Sequence, residues 1–132
     1  MSYEDFDLSI KRETEVTIWI TCQGRVMSNY IVALTTCPMK NSEELARTLV
    51  EERVCACVNI IPKLTSIYHW KDEIVVDNEA LLIMKTKDTH TLALWEVVKK
   101  NHPYEVPEYV VLPIQWGSQD YLEWISSNVR SV

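Results

Sequence analysis

Four cysteines, at 22, 37, 55 and 57, and three histidines, at 69, 90 and 102, are the side chains of this 132-residue chain best suited to hold a metal. Cys55-Ala56-Cys57 puts two thiols on one face of a strand if the strand runs through both, because strand side chains alternate. Such a pair suits a soft ion such as Cu(I), which prefers thiolate. The same two residues also serve as small hydrophobes, the usual state of a free cysteine. Cys37 stands at a strand-to-loop junction, where a thiol is reachable. His90 falls in the first turn of a helix beside Asp88 and is expected to be exposed. One imidazole holds a metal weakly unless a second copy or a neighbouring carboxylate completes the set. No Cys-x-x-Cys occurs, which excludes a zinc ribbon or redox dithiol on spacing. His102, at a helix end, is accounted for by the helix dipole and the last carbonyls. His69 precedes Trp70 at a hairpin tip.

Catalysis lacks its parts. A nucleophile needs a base and an orienter around it, and no such signature is present. The loop after the first strand, Cys37-Pro38-Met39-Lys40-Asn41, carries lysine but no arginine, so it does not make an acylphosphatase-type phosphate site. With only two glycines, Gly24 and Gly117, a glycine-rich phosphate cradle is also ruled out. A net charge of −6 argues against nucleic acid and anionic membranes, which are bound through clustered Lys and Arg. No run reaches the ~18 apolar residues of a membrane span. The acidic start is neither a signal nor a transit peptide. The cysteines are therefore read as reduced thiols in a cytoplasmic protein.

The elements that must position these residues follow from periodicity. Tyr30 to Thr36 is a buried strand, ended by Cys37-Pro38. Asn41-Ser42-Glu43-Glu44 reads as a capping box opening a helix over 42–53, with Leu45, Ala46, Leu49 and Val50 as its apolar stripe. Ala56 to Tyr68 is a second strand in which Pro62 demands an edge or a bulge. Trp70-Lys71-Asp72-Glu73 reverses the chain into a third strand, Asp77 to Thr86, making a long hairpin. Thr89 or Asp88 caps a second helix with Leu92, Trp95 and Val98 as its stripe and Leu94 alongside, stopped by Pro103. Glu108 to Ile114 is a fourth strand, and Ser118 opens a last helix bearing Leu122, Ile125 and Val129.

This order is β-α-β-β-α-β plus a terminal helix, an α+β ferredoxin-like sandwich. Residues 1–29 lie outside it, as an extension in which only Val16 to Cys22 is strand-like and Met27 could be the natural start. Residues 30–132 form the domain. Leu81-Leu82-Ile83-Met84 is apolar at every position, so both faces of that strand should be covered. Its own helices cover one, and a second copy is the simplest cover for the other. A homo-oligomer follows, with Leu82 and Met84 in its interface. Tyr68, Trp70, Tyr104 and Trp116 are large aromatics near loop ends, suited to anchoring that interface or to lining a pocket between subunits.

Several segments resemble the CutA family. Thr35-Thr36-Cys37-Pro38 is similar to the end of its first strand. Val54 to Pro62 is similar to its "AACVNIIP" segment, with Cys55 where alanine is usual. Thr65 to Trp70 resembles its hairpin tip, Lys85-Thr86 closes the third strand, and Asp120-Tyr121-Leu122-x-Trp124-Ile125 resembles its last helix. Asn101-His102-Pro103-Tyr104-Glu105-Val106-Pro107-Glu108 is the most specific stretch. The match is collinear from Tyr30 to Trp124.

The resemblance implies a non-enzymatic homotrimer, its long hairpins paired around the three-fold. It implies copper or other divalent-cation binding in metal-ion tolerance, with a contact at His90 and further soft-metal candidates at Cys37 and Cys57. No organic cofactor is implied. The trimer also looks like PII-type signalling proteins, which makes a small-molecule sensor or scaffold the alternative. The short acidic turn at Asp72-Glu73 disfavours nucleotides.

Overall fold

The structure, a computed structural model, describes residues 29–132. The expected N-terminal extension, apart from Asn29, lies outside the described residues. The elements are β1 (Tyr30–Cys37), α1 (Met39–Glu51), β2 (Cys57–Trp70), β3 (Glu73–Lys87), a 3₁₀ turn (Asp88–His90), α2 (Thr91–Asn101), β4 (Val110–Pro113) and α3 (Gln119–Ser127). The strands form one antiparallel sheet in the order β2-β3-β1-β4. It is a mixed α+β fold.

Burial in β1 alternates strictly, because successive side chains point to opposite faces. Ala33 and Cys37 join Leu82 and Met84 of β3 against Leu45, Ala46 and Leu49 of α1 and Leu94, Val97 and Val98 of α2. Leu82 and Met84 are thus wholly enclosed within one subunit and cannot form an interface. The residues that β3 presents to the other face are Leu81 and Ile83, one position out of phase. Thr35 and Thr86 are fully buried but satisfied, through the carbonyls of Glu108 at 2.6 Å and Val54 at 2.9 Å.

Two helices depart from expectation. Pro38, with φ −59° and ψ 144°, serves as the N-cap of α1, so the helix begins at Met39 and the Asn41–Glu44 capping box does not form. Ser42 instead donates its hydroxyl to the Met39 carbonyl inside the first turn. In α2 the buried stripe is Leu94, Val97 and Val98, and Leu92 is 74% exposed. That helix is apolar around most of its circumference, so spacing alone left two stripes open. Ser118 does cap α3, accepting from the Tyr121 amide.

The opposite sheet face is only partly covered. α3 crosses the end near the start of β1, where the Tyr30 and Ser126 hydroxyls meet at 2.6 Å and Lys85 lies over the Tyr121 ring. The chain's own helix therefore covers part of this face, more than the sequence suggested. Further along, Ile61, Val110 and Leu112 stay 45%, 46% and 51% exposed.

The hairpin outruns the sheet. β1 pairs with β3 only as far as Ala80, so Leu64 to Glu79 form a two-stranded ribbon with no third strand. The register slips between Ile61 and Leu64, at Pro62, where a bulge removes the need for a ladder donor. Lys71 and Asp72, both at positive φ, make the turn. Ile67, Ile74 and Val76 on the ribbon are more than 60% exposed.

Candidate functional site

A cleft of about 750 Å³ lies where the ribbon leaves the sheet, facing the loop between α2 and β4. Its walls include Tyr68 and Trp70 of β2, Glu79 of β3, and Tyr104, Glu105 and Glu108 of the loop. The loop is held by three ties. His102 Nε2 donates to the Thr36 carbonyl at 2.8 Å, Thr35 Oγ1 reaches the Glu108 carbonyl, and the Tyr104 phenol donates to Glu79 Oε2 at 2.6 Å. The His102 ring also accepts from the Tyr104 amide through Nδ1 and lies 4.9 Å from the Tyr104 ring. Both nitrogens of His102 therefore shape the backbone.

The cleft is electronegative. Glu79 is only 4% exposed, and among the described residues no donor reaches its Oε1. The Tyr68 phenol donates to Asp77, its diagonal neighbour on the ribbon. That hydrogen bond pushes Tyr68 up to about 12, and burial followed by the Glu79 contact pushes Tyr104 up as well. Both phenols therefore stay protonated donors across the physiological range. Tyr104 was singled out from sequence, but Glu79 was not. The available signal was a carboxylate directly before a run apolar at every position, where charge is rarely buried without a partner.

The three metal candidates do not converge. His90 is 2% exposed, contrary to the exposure expected of it. It lies in the 3₁₀ turn and not in the first turn of α2, and its Nε2 donates to the Arg130 carbonyl at 2.6 Å while Nδ1 meets Thr89 Oγ1 at 3.1 Å. The segment after α3 folds back over it, a contact no local pattern reveals. Arg130 is further held through its amide to the Arg53 carbonyl.

Cys37 is fully buried at the far end of β1, its thiol pushed up to about 11 by burial and then by Glu79. Cys55 is also fully buried, pushed up to about 12 by burial first and Cys57 second. Cys57 alone of these thiols is partly exposed, with Asn59 Oδ1 3.8 Å from its sulfur. It sits opposite Lys85, on the face away from Cys37. Among the described residues no three His, Cys, Asp or Glu side chains are grouped to hold a metal ion. Of the proposed interface aromatics, Tyr68 and Trp70 flank the cleft, and Trp116 is 80% exposed ahead of α3.

Comparison with known proteins gives one family. The model for the CutA1 divalent ion tolerance protein matches residues 31–128. The divalent-cation tolerance protein CutA of Thermus thermophilus is 54% identical over 101 residues, 74% of this chain and 95% of the relative. Protein CutA of mouse is 44% identical over 110 residues, 83% of this chain, and the chain spans 62% of that relative's length. Among solved structures, the Thermus thermophilus protein superposes with a TM-score of 0.74 at 48% identity, covering 76% of this chain and 99% of that one. A PII-like protein CutA from Nostoc superposes at 0.73 with 35% identity, covering 76% and 97%.

Proposed function

The chain belongs to the CutA1 divalent ion tolerance family, and from that premise we propose that it binds divalent cations, copper among them, as a homotrimer serving metal-ion tolerance without catalysis. The observation that carries the reading is the family match across nearly all the described residues. Cys57 is the ligand placed first, as the partly exposed thiol. His90 could join only by releasing the Arg130 carbonyl, and Cys37 only by opening the core. A three-fold assembly would present each donor three times, which is how single thiols become a set. The free thiols at 37, 55 and 57 support a reducing, cytoplasmic setting.

Two surfaces support the assembly. One is the apolar face bearing Leu81, Ile83 and Leu112; the other is the ribbon with Ile67, Ile74 and Val76. Contiguous apolar surface of this kind is what subunit contacts cover. In the trimer the long hairpins would pair around the three-fold.

Calorimetric titration with Cu(II) and Zn(II) tests the metal reading. Saturable binding that weakens on Cys57→Ser is expected. Binding that does not saturate below about millimolar metal overturns it, being too weak for a tolerance role. Light scattering tests the trimer, and a monomer at micromolar concentration would contradict it.

The cleft favours a second reading, a PII-like trimeric small-molecule sensor or scaffold in which metal binding is incidental. Concave sites with aromatic walls and a few polar groups are the usual places for small ligands.

A further inference from the structure

We propose that the cleft between the β2–β3 ribbon and the loop before β4 binds an organic ammonium ion, its charge against Glu79 and its carbon groups against Tyr68, Trp70 and Tyr104. This rests on the second reading above, that the cleft takes a small molecule, and names the ligand's class.

Three observations select that class. First, no lysine or arginine lines the cleft, and the phenol protons of Tyr68 and Tyr104 are already given to Asp77 and Glu79. The charged side chains of the lining are therefore all carboxylates, Glu79, Glu105 and Glu108, set among ring faces with the neutral hydroxyls of Thr36 and Ser66, a charge balance that favours a cation over an anion. Second, the enclosed Glu79 has Oε1 free of any protein donor among the described residues. That oxygen is not sealed from solvent, since among the described residues Asn41 Oδ1 is the buried side-chain atom left without a partner, so an ammonium N–H entering the cleft can reach it.

Third, the space is far larger than a metal ion requires. Bare divalent ions want several oxygens at ~2.0–2.6 Å, whereas here no three ligating side chains converge among the described residues. Carboxylates and aromatic rings together line about 750 Å³. Trp70 already has an ammonium near its ring, since Lys71 Nζ lies 5.9 Å from the centroid. Tyr68, held protonated chiefly by its hydrogen bond to Asp77, and Tyr104, by burial first and Glu79 second, both sit beside the carboxylates that would draw such a ligand in.

The test is calorimetric titration of the full chain with putrescine and tetramethylammonium as cationic probes, and citrate and ATP as anionic ones. Saturable binding of a cationic probe is expected, weakened about tenfold or more in Glu79→Gln because a charge-assisted contact is lost. Glu105→Gln, at an exposed rim position, should weaken binding by a smaller factor without disturbing the fold, which covers the case where the Glu79 variant misfolds. Unchanged affinity in both variants overturns the proposal. Binding of citrate or ATP alone also overturns it while leaving the small-molecule reading standing. If no probe binds, both fall, as they would if a second copy of the chain fills the cleft in solution.

Discussion

The Tyr104 phenol rests on Glu79 at 2.6 Å, at the point where β3 parts from β1, whose last partner on that strand is Ala80. One hydrogen bond thus joins the loop before β4 to the root of the ribbon and satisfies half of an enclosed carboxylate.

Tyr104→Phe removes that bond and leaves Glu79 without a protein donor. The expected cost is ~1–3 kcal/mol, the penalty for stranding a buried acceptor. Urea unfolding of the variant should show a lower midpoint with unchanged slope. An unshifted midpoint would mean that water replaces the phenol without loss.

His90→Ala should cost on the order of 2–4 kcal/mol, since a fully enclosed ring and its tie to Arg130 are both lost. Hydrogen exchange should quicken first at the Arg130 amide, which donates to the Arg53 carbonyl. Full protection there would show that the tail holds without the imidazole.

The two apolar phases of β3 separate by substitution. Leu82→Ala should lower subunit stability by ~2–5 kcal/mol, as for other core truncations, with assembly following only through that loss. Ile83→Lys should leave the melted-core signal nearly intact and shift light scattering toward smaller species. An unchanged mass for Ile83→Lys would place the subunit contact elsewhere.

Alkaline pH should destabilise the fold. Cys55 rises from 9.0 to about 12 and Cys37 from 9.0 to about 11, both chiefly by burial. Tyr109 rises from 10.0 to about 12 for the same reason, with Cys55 second. A raised folded-state value means the native chain keeps its proton where the unfolded chain has lost it. Each contribution is therefore full below the unfolded value and falls as pH climbs from 9.0 to about 11 for Cys37, from 9.0 to about 12 for Cys55 and from 10.0 to about 12 for Tyr109, with a limiting slope of about 1.4 kcal/mol per pH unit for the enclosed Cys55. Unfolding measured between pH 8 and 10.5, roughly the window where thiols begin to ionise, should lose this slope in part in Cys55→Ala. An identical slope in that variant would remove Cys55 from the account.

Much of the element order could be read from the chain because local chemistry and tertiary packing agree there. Pro62 forces the bulge, Lys71-Asp72 make the turn, and Ser118 caps the last helix. The misreadings share a cause. Leu81-Leu82-Ile83-Met84 and Leu92 to Val98 are apolar in more than one phase, so periodicity could not say which side faces the helices. His90 was misplaced because its burial depends on Arg130, forty residues on. Glu79 escaped notice because its partner, Tyr104, lies across the fold and only geometry unites them.

The ribbon from Leu64 to Glu79 has a thermodynamic consequence of its own. Two strands with nothing beside them are marginal in water, so the subunit should behave as two cooperative units, a sheet-and-helix body and a looser arm. In the proposed assembly the arm's amides would slow their exchange as protein concentration rises, by a larger factor than those of the body. Dilution of that assembly would loosen the arm well before it loosened the body.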